Sequence, residues 1–326
     1  MTSTVLDDIR TRCAQVAAAA RQVHIDRDTL ERYAASFPVE LLDAPFADPV
    51  HEPRDNAEAT AGFVIALDAI NFGSGWFPVL RKRPGMSGYH TVASCLQDVV
   101  AATGPLTGPR LRSSTPPEIC DIFGQDPDGE AAELMGLFAT AWNDLGELVD
   151  HRFDGSFTAM VEHADHSAAR LVGTLDQLPF FHDRSPYELP DGTTIDVPLY
   201  KRAQIVAGDL DLAFAGSGPA HFDDLDRLTI YADNLVPHVL RLDGVLGFDD
   251  ELVQRIDRGD LLESGEPAEV EIRAVAVHAV ELIGEQLRAV GHARATSGRL
   301  DYVLWNRGAD PRYKASPRHR CRCVFY

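Results

Sequence analysis

The sequence predicts a mainly α-helical protein with a small antiparallel β-sheet, and three observations support this fold class. Apolar residues recur at helical spacing through most of the 326-residue chain. Segments with strand character are few and short. Strands and helices do not alternate regularly, so a parallel α/β sheet is not expected.

The helical spacing of apolar residues marks segments from one end of the chain to the other. In order, they are residues 5–21, 27–36, 55–70, 91–102, 128–150, 155–176, 198–214, 234–243, 249–257, 268–290 and 298–307. The stretch FPVLRKRPGMSGYHT (77–91) predicts a hairpin that turns at Pro84-Gly85. TTIDV (193–197) and CRCVFY (321–326) predict short strands.

We expect residues 1–326 to form a single compact unit. RSPYELPDGTTIDVP (184–198) is rich in Pro, Gly and Asp and is the best candidate for a subdomain boundary. Because the stretch is short, a surface loop within one unit is an equally open interpretation.

The formal net charge of −20 argues against a sequence-independent grip on nucleic acid, because a polyanionic backbone is repelled except at a local basic patch. Asp7 and Asp8 stand where a signal peptide carries positive charge, and no apolar run reaches the ~18 residues that span a bilayer. The five cysteines do not show the spacing of a disulfide framework, which is typical of a protein from a reducing compartment. The expectation is a cytoplasmic protein that binds a small molecule and has no membrane partner.

Two cations at one helix start need an explanation. LYKRAQIVAGDLDLAF (199–214) predicts a helix, and Pro198, directly before it, suits the first helical turn. Lys201 and Arg202 then fall at the N-terminal end of this helix. That end of a helix already carries partial positive charge, so something anionic should compensate. One interpretation is a phosphate held by the cations and the free N–H groups. The other is a nearby acid, Asp196 or Asp209.

Two acidic segments are the candidate chemical groups. In LTIYADNLVPHVL (228–240), Asp233 follows Tyr231 next to a helix start, where it is either a helix cap or a carboxylate at the mouth of a pocket. In GRLDYVLWNRGADPRY (298–313), Asp301 and, less directly, Asn306 share a helical face with Trp305, and Asp310 follows the helix end. The alternative for the second segment is an amphipathic helix that packs on the core.

Two further segments complete the candidates. AINFGSGWFPVL (69–80) brings Trp76 into an aromatic, glycine-rich turn that either closes a core or stacks on a flat heterocycle. EVEIRAVAVHAVELI (269–283) is apolar almost all round, so its charged residues, Arg273 among them, should be partly buried and paired internally.

The sequence contains no dinucleotide fingerprint, P-loop, HExxH, G-x-S-x-G or zinc-deaminase pattern, so covalent or metal chemistry and a cofactor have no support. The candidate groups that remain are the carboxylates, the aromatic rings and the cations Lys201 and Arg202. That set suits cleavage of an N-glycosidic bond in a phosphorylated nucleoside.

Several stretches together carry a family resemblance. They are AINF, SGYHT, LYKRAQIVAGDL, IYADNLVPHVL, EVEIRA, LDYVLW and HRCRCVFY, and they run in order from about residue 50 to the last residue. On these stretches the chain resembles the queuosine salvage protein family, which are queuosine 5′-phosphate N-glycosylases. The resemblance implies a cytosolic hydrolase that releases queuine and ribose 5-phosphate, with a fold similar to helical DNA glycosylases and no direct nucleic-acid partner.

The resemblance also assigns residues. The aspartate of YAD is Asp233, with Tyr231 the aromatic before it, and the acid of LDY is Asp301. The lysine of YKRAQ is Lys201, and His51 matches a ligand-contacting histidine. The family usually has a further aspartate five residues after that of LDY, where this chain has Asn306, so that acid is not chemically essential or Asp310 or Asp301 covers its role.

These assignments imply a mechanism. Asp233 faces C1′ of the sugar, and Asp301 is the second acid, which bonds donors of the base or of its cationic arm. Lys201 holds the 5′-phosphate together with Arg202. Two rival interpretations stay open: a DNA-glycosylase-like repair enzyme that uses Lys201 as a Schiff-base nucleophile, and a non-catalytic deazaguanine-binding protein.

Overall fold

Helices dominate the computed structural model, which describes residues 4–43 and 51–326. In chain order the helices are α1 (Val5–Ala19), α2 (Arg27–Ala35), α3 (Ala57–Ala69), α4 (Gly88–Thr103), α5 (Gly108–Arg112), α6 (Pro116–Phe123), α7 (Ala132–Arg152), α8 (Phe157–His163), α9 (Ala168–Leu175), α10 (Lys201–Ala213), α11 (Val236–Leu242), α12 (Asp250–Asp257), α13 (Pro267–Ala289), α14 (Ser297–Arg307) and α15 (Pro311–Lys314). The mainly helical fold class is confirmed. The similarity to DNA glycosylases stays a prediction.

The strands are short and form three separate pairs. They are β1 (Val23–Ile25), β2 (Arg184–Glu188), β3 (Thr194–Pro198), β4 (Leu246–Phe248), β5 (Leu261–Leu262) and β6 (Arg320–Cys321). β1 pairs with β4 and β2 with β3, both antiparallel, whereas β5 and β6 are parallel. The strand predicted at 193–197 is confirmed. The strand predicted at 321–326 is reduced to Arg320–Cys321, and β1 and β4 are too short for their period to show in the sequence.

The hairpin predicted at residues 77–91 is wrong. A turn closes where the N–H of Met86 bonds the carbonyl of Arg83, and α4 then begins at Gly88. The Ser87 hydroxyl caps this helix by accepting from the N–H of His90 at 3.1 Å. A Cβ at Gly88 would meet the Phe77 ring at 2.5 Å, so glycine allows the close approach at this helix start. The serine cap, and not the Pro-Gly turn, decides the local structure.

Two predicted helices have different bounds. Residues 155–176 form α8 and α9, which are separated where Asp165 and His166 take φ of 46° and 58°. The predicted 198–214 helix begins at Lys201, because Pro198 ends β3 and Tyr200 takes φ of 48°. Pro198 therefore does not occupy the first helical turn.

The described residues form two compact units. The first unit contains residues 4–43, 183–204 and 224–323, and the second contains 51–182, 205–223 and 324–326. Since the boundary at residue 204 falls within α10, the first turn of that helix belongs to the first unit.

The first unit is built around α13, which is buried along most of its length. Helices α1, α2, α11 and α14 pack against it. Its charged side chains find internal partners, as the sequence predicts. Glu271 accepts the backbone N–H groups of Gln22 and Val23 at 2.7 and 3.1 Å, and Glu281 pairs with Arg10 at 3.0 Å.

The second unit is built around α7, against which α3, α5, α6 and α8 pack. Gly146 of α7 lies where this helix passes close to α5. A Cβ at Gly146 would come within 2.5 Å of the backbone of Gly108 and Arg112, the two end residues of α5. Over the ranges that the structure describes, no helix has the length and apolar character needed to cross a bilayer.

Candidate active site

The start of α10 is fixed by Asp183. The backbone carbonyl of Asp183 accepts the N–H of Leu199 at 2.9 Å, and its carboxylate Oδ2 accepts the N–H of Lys201 at 3.0 Å. Between them, Tyr200 occupies the left-handed region, which costs a bulky residue on the order of 1–3 kcal/mol. The Tyr200 hydroxyl is held by Arg184 Nη1 at 2.7 Å. The backbone that carries Lys201 is therefore tightly specified.

Asp183 also places a buried anion at this helix start. It is 2% exposed and accepts the N–H of the first helical residue, as a carboxylate at a helix N-terminus should. Of the two acids named from the sequence, Asp196 bonds Arg184 Nε at 2.6 Å and Asp209 pairs with His51 at 3.0 Å. Their pairing with the two cations stays a prediction. Asp183 lies 18 residues before Lys201, beyond the range of a local pattern.

Arg273 neutralises Asp183. Its Nη2 and Nη1 donate to the two oxygens of Asp183 at 2.6 and 3.0 Å, and Nη1 also bonds Glu269 at 3.1 Å. All three side chains are almost fully buried. The Nε–H donor of Arg273 bonds the carbonyl of Ala232 at 2.9 Å. One guanidinium thus joins the start of α10 to the YAD segment, residues 231–233.

Asp233 fixes the chain at the start of α11. Its Oδ1 accepts the N–H groups of Leu235 and Val236 at 2.7 and 3.2 Å, while Leu235 is the N-cap residue of that helix. Its role as a carboxylate at the mouth of a pocket stays a prediction. Within the described residues, its Oδ2 makes no hydrogen bond. Asp233 is half-buried, and one of its carboxylate oxygens is held by the backbone.

Asp301 lies directly beside the YAD segment. It is buried on α14, and its Oδ1 accepts the backbone N–H of Tyr231 at 2.8 Å. The Tyr231 ring meets the Tyr302 ring edge to face at 6.1 Å. The structure therefore brings Tyr231, Asp233 and Asp301 together.

A second buried link joins α10 to this region. The Gln204 amide Nε2 bonds the Leu199 carbonyl and the Thr229 hydroxyl, both at 2.9 Å, while its Oε1 accepts the N–H of Thr229 at 2.8 Å. Gln204 and Thr229 are both fully buried. Gln204, the glutamine of YKRAQ, thus fixes Thr229, which lies two residues before the YAD segment.

Arg318 is a charged neighbour of Asp233 that the sequence reasoning missed. Desolvation lowers the pKa of the Arg318 guanidinium, and the Asp233 carboxylate opposes that shift. The two groups are therefore within electrostatic reach of each other. Arg318 directly precedes the family stretch HRCRCVFY. Its position next to this stretch was the one feature of the sequence that could have pointed to it.

Asn306 and Asp310 lie in a different local setting. Both are exposed and line a cleft of about 470 Å³ with Arg307, Arg312 and Tyr313. The Asp310 carboxylate caps α15 by accepting the N–H of Arg312 at 2.8 Å. Within the described residues neither side chain bonds Asp233 or Asp301. Their contact with a substrate stays a prediction.

His51 and Trp76 belong to the second unit. His51 Nε2 lies 3.0 Å from Asp209 Oδ2, and both side chains are largely buried. The Trp76 indole N–H donates to Glu133 at 2.8 Å, which satisfies the polar atom of a ring that is 2% exposed. The substrate contacts of His51, Trp76 and the buried Arg202 stay predictions. Over the described ranges, no group of three or more His, Cys, Asp or Glu side chains is arranged to hold a metal ion.

Comparison with known proteins places this site in a family. The model of the family described as queuosine salvage protein matches residues 51–326, which include the YKRAQ, YAD and LDY segments. The chain belongs to the queuosine salvage protein family. The match covers most of the chain, in agreement with the resemblance seen in the sequence.

Curated relatives of this queuosine salvage family member carry one name. A protein of Sphaerobacter thermophilus is 32% identical over 98% of this chain and 97% of its own length. Proteins of Bos taurus and Mus musculus are 30% and 29% identical, each over 95% of this chain and 96% of their own lengths. All three are named queuosine 5′-phosphate N-glycosylase/hydrolase. These names do not favour a DNA-repair enzyme or a non-catalytic binding protein.

Proposed function

We propose that this protein hydrolyses the N-glycosidic bond of queuosine 5′-phosphate and releases queuine and ribose 5-phosphate. Membership of the queuosine salvage family and relatives of that name over nearly the whole chain support the activity. The structural observation that supports it is the Asp233 carboxylate, whose Oδ1 is held by two backbone N–H groups next to the buried Asp301 and Tyr231.

Asp233 acts at C1′ of the ribose. The bond from C1′ to the base nitrogen breaks with its electron pair leaving on the base, so positive charge develops on the sugar. A carboxylate whose orientation is fixed in advance stabilises that charge without reorganising. Water then adds its oxygen to C1′, and one proton of that water balances the charge on the released base.

Lys201 binds the 5′-phosphate, with Arg202 as a second cation of the same helical turn. Binding energy from this remote group can be used to place the sugar against Asp233. Asp301 takes the base side, where its carboxylate accepts from donors of the deazaguanine or its cationic arm, next to the Tyr231 ring. A 7-deaza base lacks the N7 atom, so the leaving group takes its proton at another position.

The proposal includes a small-molecule partner and a cytoplasmic location. The formal net charge of −20 disfavours a polyanionic partner such as duplex DNA. The five cysteines are all free and buried, which agrees with a reducing compartment.

The test is base release by the purified wild-type protein in oxygen-18 water. We expect queuosine 5′-phosphate to yield queuine and ribose 5-phosphate that carries the label at C1. Tight queuine binding without release would instead support a binding protein. A parallel gel-shift assay with duplex DNA should show no tight, salt-sensitive complex, and such a complex would revive the repair-enzyme alternative.

A further inference from the structure

The two groups assigned to opposite ends of the sugar are connected through one buried ion pair. Lys201 donates its backbone N–H to Asp183 at 3.0 Å, and Asp183 holds Arg273 through two bonds of 2.6 and 3.0 Å. Arg273 then bonds the carbonyl of Ala232, the residue before Asp233, at 2.9 Å. We name Asp183, Arg273 and Glu269 the Arg273 bridge.

The chemistry of the bridge requires arginine. The guanidinium donates in one plane to Asp183, Glu269 and the Ala232 carbonyl at the same time. A lysine ammonium keeps the charge but cannot reproduce this fork. Because all three charged side chains of the bridge are buried, their desolvation consumes much of the energy that the pairing supplies. Stability is therefore a weak reason for a buried triad, and fixed geometry is a better one.

The backbone at both ends of the bridge is constrained. Tyr200 takes φ of 48° immediately before Lys201, and the Asp183 carboxylate accepts the next N–H. At the other end, the Asp233 carboxylate is tied to the start of α11 by two bonds. The bridge lies between these constrained ends, so together with the Gln204–Thr229 link it sets the separation of the two segments.

We propose that Arg273 and Asp183 are positioning residues that fix the distance between Lys201 and Asp233, so that a phosphate bound at Lys201 places C1′ against Asp233. The inference rests on the proposed function and adds the element that couples the two ends of the substrate. In this proposal the bridge residues need no contact with the substrate. They act through the backbone of residues 201 and 232.

The test is Arg273→Lys, assayed with queuosine 5′-phosphate and with unphosphorylated queuosine on one preparation. For the monophosphate we expect kcat to fall about 10- to 100-fold with KM within about threefold, because the phosphate still binds but no longer aligns C1′. For the nucleoside we expect kcat/KM within about threefold. The ratio of the two kcat/KM values does not depend on the folded fraction, so a purely structural defect leaves it unchanged.

A double-mutant cycle with Lys201→Ala locates the coupling. In the Lys201→Ala background, Arg273→Lys should change monophosphate kcat/KM less than about threefold, because the main phosphate contact that the bridge aligns has been removed. A full effect in that background would overturn the proposal. Arg10→Lys is the matched control, since Arg10 also joins a carboxylate, Glu281, to a backbone carbonyl in the first unit. Arg10→Lys should leave the ratio of the two kcat/KM values, monophosphate to nucleoside, unchanged.

Asp183→Asn is the second variant if Arg273→Lys is poorly folded. The amide can still accept the N–H of Lys201 but no longer attracts Arg273, so the substrate ratio should fall in the same way. An unchanged ratio in both variants overturns the inference. Absence of wild-type base release overturns the proposed function instead, so the two failures are distinguishable.

Discussion

Asp233 has a structural role that is observed and a catalytic role that we propose. Its Oδ1 accepts two backbone N–H groups at the start of α11, and within the described residues its Oδ2 makes no hydrogen bond. A helix cap alone is satisfied by asparagine about as well as by aspartate. The two roles can therefore be separated by a single substitution.

Asp233→Asn should abolish turnover with little effect on folding. The amide oxygen keeps the bonds to Leu235 and Val236, but the negative charge at C1′ is lost. We expect kcat to fall at least about 10²- to 10³-fold while queuine binding stays measurable by calorimetry. Asp249→Asn is the control, since Asp249 caps α12 in the same unit by accepting from Leu252 at 2.7 Å. Wild-type turnover in Asp233→Asn would refute its catalytic assignment.

Lys201→Ala should act mainly on the phosphorylated substrate. We expect kcat/KM for the monophosphate to fall about 10²-fold and that for free queuosine to change less than about threefold, because only the former offers the ester anion. Steady-state kinetics on both substrates measure the difference. Lys314→Ala removes an exposed lysine of the same unit and should change neither value. Equal losses on both substrates in Lys201→Ala would contradict the phosphate role.

At the scale of elements, caps decide where helices begin. The sequence shows that residues 199–214 are helical and that two cations stand near the start, but β3 extends through Pro198 and delays the helix to Lys201. Ser87 likewise converts a predicted hairpin into the start of α4. Periodicity identifies the body of a helix, whereas the cap depends on one side chain and its partner.

Glu58 provides a testable cap in the second unit. It lies in the first turn of α3, and its carboxylate accepts the N–H groups of Phe157 and Thr158 at 2.7 and 3.0 Å, at the start of α8. Burial raises the pKa of Glu58, but hydrogen bonds from Thr158, Phe157 and Ser156 outweigh it and hold the pKa below the ordinary 4.5. The ionised form is therefore favoured by folding.

Glu58→Gln should lower the free energy of unfolding by about 1–3 kcal/mol at pH 7. The glutamine NH2 group would face the N–H and hydroxyl donors that now bond the carboxylate, so some of those bonds would be lost. The wild-type contribution is present above the unfolded-state pKa and is lost as the pH falls through the lower folded-state pKa. Urea unfolding at neutral and acid pH should therefore show that the two proteins converge in acid. Glu118→Gln, at an exposed first-turn position of α6, should cost little at either pH. A gap between wild type and Glu58→Gln that persists below pH 3 would contradict this account.

At the scale of the whole molecule, we expect buried and half-buried histidines to contribute to the response to acid. Burial lowers the pKa of His319 to about 3, and burial also lowers the pKa of His238 and of His278. The unfolded chain binds protons at these sites below pH ~6.5, whereas the folded chain resists them. Each group thus contributes stability that is present above pH ~6.5 and is lost as the pH falls towards the folded-state value.

We expect the free energy of unfolding to fall between pH 7.5 and 5.5, and the fall to be smaller in His319→Gln. Denaturant unfolding at both pH values measures this slope, which is separate from any general loss of stability caused by the substitution. His292→Gln, at an exposed position, is the control and should keep the wild-type slope. A wild-type slope in His319→Gln would show that His319 does not drive the acid response.

The sequence by itself determined the helical character and the family, because helical periodicity and the order of motifs are local properties of the chain. It also placed Lys201, Tyr231, Asp233 and Asp301 in the family motifs. Only the tertiary structure decided what holds the start of α10 and what joins it to the YAD segment. Asp183 is 90 residues from Arg273, and Arg273 is 41 residues from Ala232, so no local pattern pairs them. Their pairing follows from how α13 packs within the first unit, where burial forces each charged group to find a partner.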